Sequence, residues 1–503
     1  MELLTQRYKE KISGVIGCYD RIVITGTLPV LSNAGHLTAY MFQNNIRIFD
    51  YAKFAEPYRD ELKQNAQWIA EAAGLEIEYI RSSGVRKEAV IESILKKRGT
   101  DPGLVHIISV MESCTSYKPW HDKVTHKTFL KYDQGKCLTY YFYFIDDLLG
   151  LCYVRVPTWL PFKLQIFFNG HTWLSNELTK KNIGHQMMDN AFITIDDWGK
   201  ARRMSDNLSV KTLHRKLNAF AGKYCPVHKV FKQEYHWSIM QCEYSTDIVF
   251  TKQEDLKPLY EQLITKAIHS VKPENIITFF GKKMHGKYEG EIGNNYHVRI
   301  EGSRIKHSMG KASIKMYDKF GHILRIETTV NDVTFFKHYR AVIHHDGSST
   351  QKEASMKKNI YSLTPLREIV AASNKRYLEF ISAIDDNTIG HKKLEKATES
   401  KTVNERNYKG LNFFSKADKK IVLTLARGEF NIYGFRSKDL AKHLIQHSKD
   451  QLSRLLKRLK VHGLIRKIGK SYKYYLTTLG KEIITCSQKL INMVMIPQLS
   501  ITQ

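Results

Sequence analysis

The sequence predicts a multidomain protein of mixed α and β class, on three observations. Its 503 residues exceed what one hydrophobic core ordinarily serves, so two to four domains are expected. Strand and helix periodicities succeed one another along the first two-thirds of the chain. The last fifth then becomes rich in helical spacing and strongly basic. Hydrophobic residues at 42% and aromatic residues at 11% supply ordinary cores and exclude wholesale disorder.

In the first region, Arg21-Ile22-Val23-Ile24-Thr25 has strand character and ends at Gly26. Helical spacing over residues 58–73, alternation over 75–80, a second helical stretch over 87–97 and an apolar run over 104–111 follow. Such succession predicts a partly parallel sheet covered on both faces. Consecutive strands at 138–145, 150–156 and 162–168 add an antiparallel piece, separated by Asp146-Asp147 and the Pro157/Pro161 corner. Asn169-Gly170 then turns the chain into a helix over about 173–182. Residues 1–204 are expected to form one mixed α/β domain.

The middle region, residues 205–390, is expected to be mainly helical to 262 and β-rich over 276–330. Its clearest part is a hairpin, 313–317 and 323–328 joined by Asp318-Lys319-Phe320-Gly321. Alternation places Ile314, Met316, Leu324 and Ile326 on a buried face, with Lys315, Tyr317, Arg325 and Glu327 on the other. A cross-strand charge ladder is a sufficient account of the second set, with a nucleic-acid-facing or catalytic surface as the alternative. Residues 346–359 have the polarity of a loop, 365–384 of a helix, and 391–412 of a charged linker.

Residues 413–503 carry the most specific pattern. A first amphipathic helix spans 416–426, and Ser437 is placed to cap a second. Ser448 caps a third, with Gln451 completing a capping box, and Gly463 ends it. Leu452, Leu455, Leu456 and Leu459 share the inner face of that helix. Two short strands about the Gly469-Lys470 turn follow. This order, with His462-Gly463-Leu464-Ile465-Arg466-Lys467 and Leu476-Thr477-Thr478-Leu479-Gly480, resembles the MarR-type winged-helix DNA-binding domain. The resemblance implies a third helix in a major groove and a wing on the flanking backbone. It makes Lys449, Gln451, Ser453 and Arg454 base-edge candidates, and Lys457, Arg458, Lys470 and Lys473 phosphate contacts.

Charge agrees with that reading. Lys plus Arg number 78 against 50 Asp plus Glu, a net charge of +28. Residues 401–490 hold 21 of those cations and 6 of the acids, so the excess is localised as a polyanion-binding surface requires. Double-stranded DNA is the expected partner, with RNA as the alternative and a homodimer as the arrangement many such domains adopt. The seven cysteines show no framework spacing, which argues for a reducing compartment. No apolar run has transmembrane length and the first residues lack signal-peptide layout, so a cytoplasmic protein without a membrane partner is expected.

Segments of the body, Tyr19-Asp20-Arg21-Ile22-Val23-Ile24-Thr25-Gly26-Thr27-Leu28, Thr158-Trp159-Leu160-Pro161-Phe162 and Lys409-Gly410-Leu411-Asn412 among them, resemble a family of uncharacterised bacterial proteins with mobile-element character. The hairpin, Tyr317-Asp318-Lys319 with Leu324-Arg325-Ile326-Glu327, is similar to part of phage and plasmid replication initiators. Their His-hydrophobe-His metal motif is lacking, Ile343-His344-His345 being the nearest approach. Phosphate loops, His-Glu-x-x-His, Cys-x-x-Cys and Gly-x-Ser-x-Gly are also absent. Cys225, His228, His236 and Cys242 have poor zinc-finger spacing.

Two functions stay open: a DNA-binding regulator or mobile-element accessory protein, and a nuclease, transposase or recombinase targeted by the winged helix. The second requires carboxylates converging on Mg²⁺ or Mn²⁺. Asp20, Asp146, Glu243, Asp247 and Glu327 are the candidates. A structural role is the simpler account of each: turn chemistry for Asp146, a solvated helix face for Glu243 and Asp247, and an ion pair for Asp20.

Overall fold

The computed structural model describes residues 3–82, 84–283, 290–299, 302–385, 387–469 and 471–496. The chain divides into two compact units, Met1–Asp385 and Asp386–Gln503.

The first unit is built on one eleven-stranded sheet. In chain order its strands are β1 (Ile12–Thr27), β2 (Ile77–Tyr79), β3 (Gly103–Asp122), β4 (Lys127–Asp146), β5 (Gly150–Pro157) and β6 (Leu164–Asn169). A small ribbon, β7 (His185–Met188) and β8 (Ala191–Ile195), interrupts the series. It resumes with β9 (His236–Phe250), β10 (Ile292–Arg299), β11 (Gly302–Met309), β12 (Ala312–Lys319) and β13 (Ile323–Val330). Across the sheet the order is β10-β11-β12-β13-β9-β1-β6-β5-β4-β3-β2.

The mixed α/β class is as expected, as are a parallel pair in the first region and the antiparallel addition after it, though the parallel part is small. Only β2 with β3 is parallel among these strands. Helices between strands here often return the chain antiparallel rather than in a βαβ crossover. The helical expectation for 205–262 also fails in part. Val210–Tyr224 and Gln253–Ser270 are helices, but β9 lies between them at the centre of the sheet. One sheet therefore runs through the expected boundary at 204/205. The expected loop at 346–359 contains β15 (Ser349–Ser355), which pairs with β14 (Lys337–Ile343).

The two sheet faces differ in what covers them near β1, β9 and β13. On one, the helix Leu363–Asp385 packs on Tyr19, Tyr244 and Ile326. The Tyr19 hydroxyl donates to the Leu363 carbonyl, and Asn374 Nδ2 donates to the carbonyls of Tyr244 and Ile326. On the other, the helix Gly170–Lys180 and the β7–β8 turn close over charged side chains. Every position of β13 is consequently buried. The alternation in the 312–330 hairpin is real, but its polar face is interior.

The second unit has its own apolar cluster. The expected linker is structured: a helix Asn387–Thr398 precedes β16 (Lys401–Val403) and β17 (Arg406–Tyr408), which pair. Helices Lys416–Leu425, Gly428–Tyr433, Ser437–Ala441 and Lys449–Val461 follow, then β18 (Ile465–Lys467) with β19 (Tyr474–Leu476), and a helix Thr478–Lys489. Ser448 caps its helix with the Gln451 box, as the sequence indicates. Ser437 is instead the first helical residue, and Arg436 takes the cap position with its N–H on Asp439 Oδ2. No helix among the described residues is long and apolar enough to cross a membrane.

Candidate functional site

The charged face of β1, β9, β12 and β13 is a product of register. Arg325 on β13 pairs across to Asp247 on β9 and Tyr317 on β12, while Glu327 faces Ser245 and Lys315. A register shift in β1 between Tyr19 and Ile22 inserts Asp20 and Arg21. Such a bulge re-aims a side chain, and here it brings Asp20 to the same face.

Four of these groups form a fully packed quartet. Arg325 Nε and Nη2 donate to the two oxygens of Asp247 at 2.7 Å each, and Nη1 donates to Asp20 Oδ2 at 3.2 Å. His171, at the start of the covering helix, lies with Nδ1 3.2 Å from Asp20 Oδ1 and Nε2 3.6 Å from Asp247 Oδ2. Asn169 and Asn190 donate to Asp20 Oδ1 at 2.9 and 2.6 Å. Arg325, Asp247 and His171 are wholly inaccessible.

Burial alone raises a carboxyl pKa. Here His171 and Arg325 outweigh it, holding Asp20 well below the carboxylate range and Asp247 at about 2. Burial likewise disfavours an imidazolium, yet the contacts with Asp20 and Asp247 raise His171 above its ordinary value. Arg325 set between the two carboxylates offsets part of the desolvation cost of burying them.

Beside the quartet the balance changes. Asp20, Glu243 and Glu327 each present one ligand atom, and all lie within 4.8 Å of one another. They are the one such trio among the described residues. Oxygens about 2.1 Å from an octahedral Mg²⁺ lie about 3 Å from their neighbours around the ion, so the three acids would draw inward to hold one. Lys315 Nζ now holds the place of a cation, 2.5 Å from Glu327 and 3.5 Å from Glu243. Burial and the neighbouring Glu327 raise the Glu243 pKa despite that lysine.

The Tyr317 hydroxyl donates to Glu327 Oε2 at 2.7 Å. Lys306 faces Lys315 across β11 and β12, and its ammonium pKa is lowered by burial and by Lys315 and Arg304. Exposed Arg21 stands over Phe167 on β6. Acids backed by a cluster of cations suit a phosphodiester: the cations take the anion while the acids take a metal.

The other sequence candidates separate. Asp146 accepts from the N–H groups of Leu148 and Leu149 and pairs with Lys216 at 2.8 Å. It is a turn residue, outside the trio. Asp247 belongs to the quartet rather than the trio. Glu243 and Asp247, four apart, lie on a strand and not on a helix face. Cys225 and Cys242 are buried in apolar packing, with Cys225 Sγ against the Tyr235 hydroxyl. His171 carried no local signal, because only the fold sets it against Asp20.

In the second unit Lys449, Gln451, Ser453, Arg454 and Lys457 are exposed on the helix Lys449–Val461, and Lys473 is half-buried. Lys470 lies outside the described residues. Arg458 departs from expectation. Its Nη1 and Nη2 grip Asp418 at 2.9 and 2.8 Å, and it also donates to the carbonyls of Lys409 and Gly410. Those bonds make it a structural clamp instead of an outward phosphate contact. No family model, curated protein or solved structure matches the chain.

Proposed function

We propose that the protein is a DNA-acting phosphoryl-transfer enzyme of the nuclease, transposase or recombinase class, with the second unit serving as a winged-helix targeting module. The observation that carries this reading is the convergence of Asp20, Glu243 and Glu327 to within 4.8 Å. It comes from three strands and three well-separated parts of the sequence, and burial and Glu327 raise the Glu243 pKa there.

One carboxylate oxygen from each of the three would hold Mg²⁺ or Mn²⁺, whose chemistry is charge stabilisation at phosphorus. The chain's own groups do the rest. Lys315, once displaced from Glu327, would be free to pair with a non-bridging phosphate oxygen, with Lys306 beside it on the neighbouring strand. The quartet holds Asp20 in place from behind.

Duplex targeting is supported by the basic outer face of Lys449–Val461 and the ribbon that follows it. A second reading, a DNA-binding regulator or accessory protein without chemistry, is favoured by the Lys315 ion pairs, which can serve as a purely structural closure of the acids.

The test is incubation of the full chain with end-labelled duplex DNA, single-stranded DNA and RNA, with and without Mg²⁺ or Mn²⁺, resolved on denaturing gels. Metal-dependent strand cleavage or joining is expected, falling at least 100-fold in Glu243→Gln and Glu327→Gln while duplex binding persists. Intact strands under every condition, with salt-sensitive duplex binding, would establish the second reading.

A further inference from the structure

The segment expected as a linker ahead of the DNA-binding module, residues 391–412, is not a tether. β16 and β17 form a tight hairpin in which Val403 faces Arg406, leaving Asn404 and Glu405 as a two-residue turn. Both have positive φ, 50° and 61°, as the twist-matched hairpin turn requires. So short a ribbon is marginal by itself, and its base is pinned from two sides. Gly410 lies so close to the preceding helix that a Cβ there would stand 1.8 Å from the Thr398 carbonyl oxygen. Arg458, on the helix Lys449–Val461, holds the carbonyls of Lys409 and Gly410 at 2.7 and 2.6 Å.

The consequence is a cleft of about 1000 Å³ between hairpin and helix. Arg406, Asn407 and Lys409 form one wall; Gln451, Arg454 and Lys457 form the other. All six are exposed. The acid at the floor, Asp418, is already neutralised by Arg458, so the cleft presents four cations without a competing anion from Asp418. No described residue of 465–476 lines it, so it is a different surface from the strands β18 and β19.

We infer that the hairpin is a second DNA-gripping arm: this cleft takes the sugar–phosphate backbone of the duplex whose major groove receives the helix Lys449–Val461. The occupant is identified by charge complementarity and by the helix that forms the second wall. The inference rests on the winged-helix reading, and adds to it a backbone contact supplied by residues N-terminal to the helical core.

The experiment measures duplex affinity of the full chain against salt, on one preferred and one scrambled sequence, for wild type, Arg406→Ala/Lys409→Ala and Arg454→Ala. Two lost phosphate contacts should reduce the log–log salt slope by about 1.8 and weaken both sequences equally. Arg454→Ala should chiefly narrow the difference between the sequences. Arg406→Glu, a surface change with little effect on folding, should weaken binding further than Arg406→Ala. An unchanged slope in the double variant, with Arg454→Ala still weakening binding, overturns the arm and leaves the winged-helix reading standing. Failure of the wild-type chain to bind duplex overturns both.

Discussion

Arg325 illustrates how one side chain can be costly and indispensable. It is wholly buried and shared between Asp247 and Asp20. Removing one partner of such a pair costs about 3–5 kcal/mol, because the remaining charge stays buried, whereas replacing both is far milder. Arg325→Leu is therefore expected to destabilise the first unit by about that amount, and Asp247→Leu/Arg325→Leu to recover much of the loss. Denaturant unfolding checks this; a double variant no better than the single one would mean that the pair is not the source of the cost. His171 adds a pH signature. Its folded pKa is raised, so its stabilisation is complete below the unfolded value of about 6.5 and disappears as pH rises through the folded value. Asp20 and Asp247 behave oppositely: their contribution is present above about pH 4 and is lost as pH falls through their lowered folded values. His171→Asn should thus be less stable than wild type at pH 6, with the gap closing toward pH 9. Melting curves that differ by the same amount at both pH values would show that His171 is not charged in the folded state.

At the scale of elements, the start of the helix Gly170–Lys180 decides whether the quartet forms. Asn169 caps it through the N–H groups of His171 and Thr172. A Cβ on Gly170 would stand 2.2 Å from the Tyr19 carbonyl oxygen, so the helix meets β1 backbone to backbone beside the bulge that carries Asp20. Gly170→Ala must push the helix away, at about 1–3 kcal/mol, and thermal melting of the variant measures it; an unchanged melt would mean that the approach is not tight. The sequence indicated Asn169-Gly170 as a turn, but nothing local shows what the glycine is pressed against. The same limit explains β9. Gln241, Glu243, Ser245 and Asp247 alternate with apolar residues, and locally their polarity resembles a solvated face. Ser245 and Asp247 are instead buried against His171, at the start of the helix Gly170–Lys180. The 312–330 hairpin was legible because its turn and alternation are local, and the helix Lys449–Val461 because Ser448 and Gln451 form its cap. The trio was legible only as a set of names: Asp20, Glu243 and Glu327 were each visible, while the register that joins them depends on β9, which local periodicity does not reveal.

For the whole molecule, the decisive feature is that each unit closes its own apolar cluster. Ile22, Phe142 and Leu324 belong to one, while Leu440, Leu456 and Ile465 belong to the other. The charge is divided as well: the second unit presents its cations on exposed helix and hairpin surfaces, whereas the first holds Arg325 and Lys315 against acids. Two cores of this kind unfold as separate cooperative units when little energy couples them. Calorimetry of the full chain is then expected to show two transitions, and point changes assign them. Gly170→Ala should lower one. Ser448→Ala, which removes the cap of Lys449–Val461, should cost about 1 kcal/mol and lower the other. Duplex DNA, binding the folded second unit, should raise the transition that Ser448→Ala lowers, since a ligand of the native state stabilises it by mass action. Mn²⁺ held by Asp20, Glu243 and Glu327 should raise the transition that Gly170→Ala lowers, and Glu243→Gln should abolish that shift. A single transition displaced by both substitutions would show that the two units are energetically one. Two transitions with Mn²⁺ moving neither would remove the trio as a metal site while leaving the division of the chain intact.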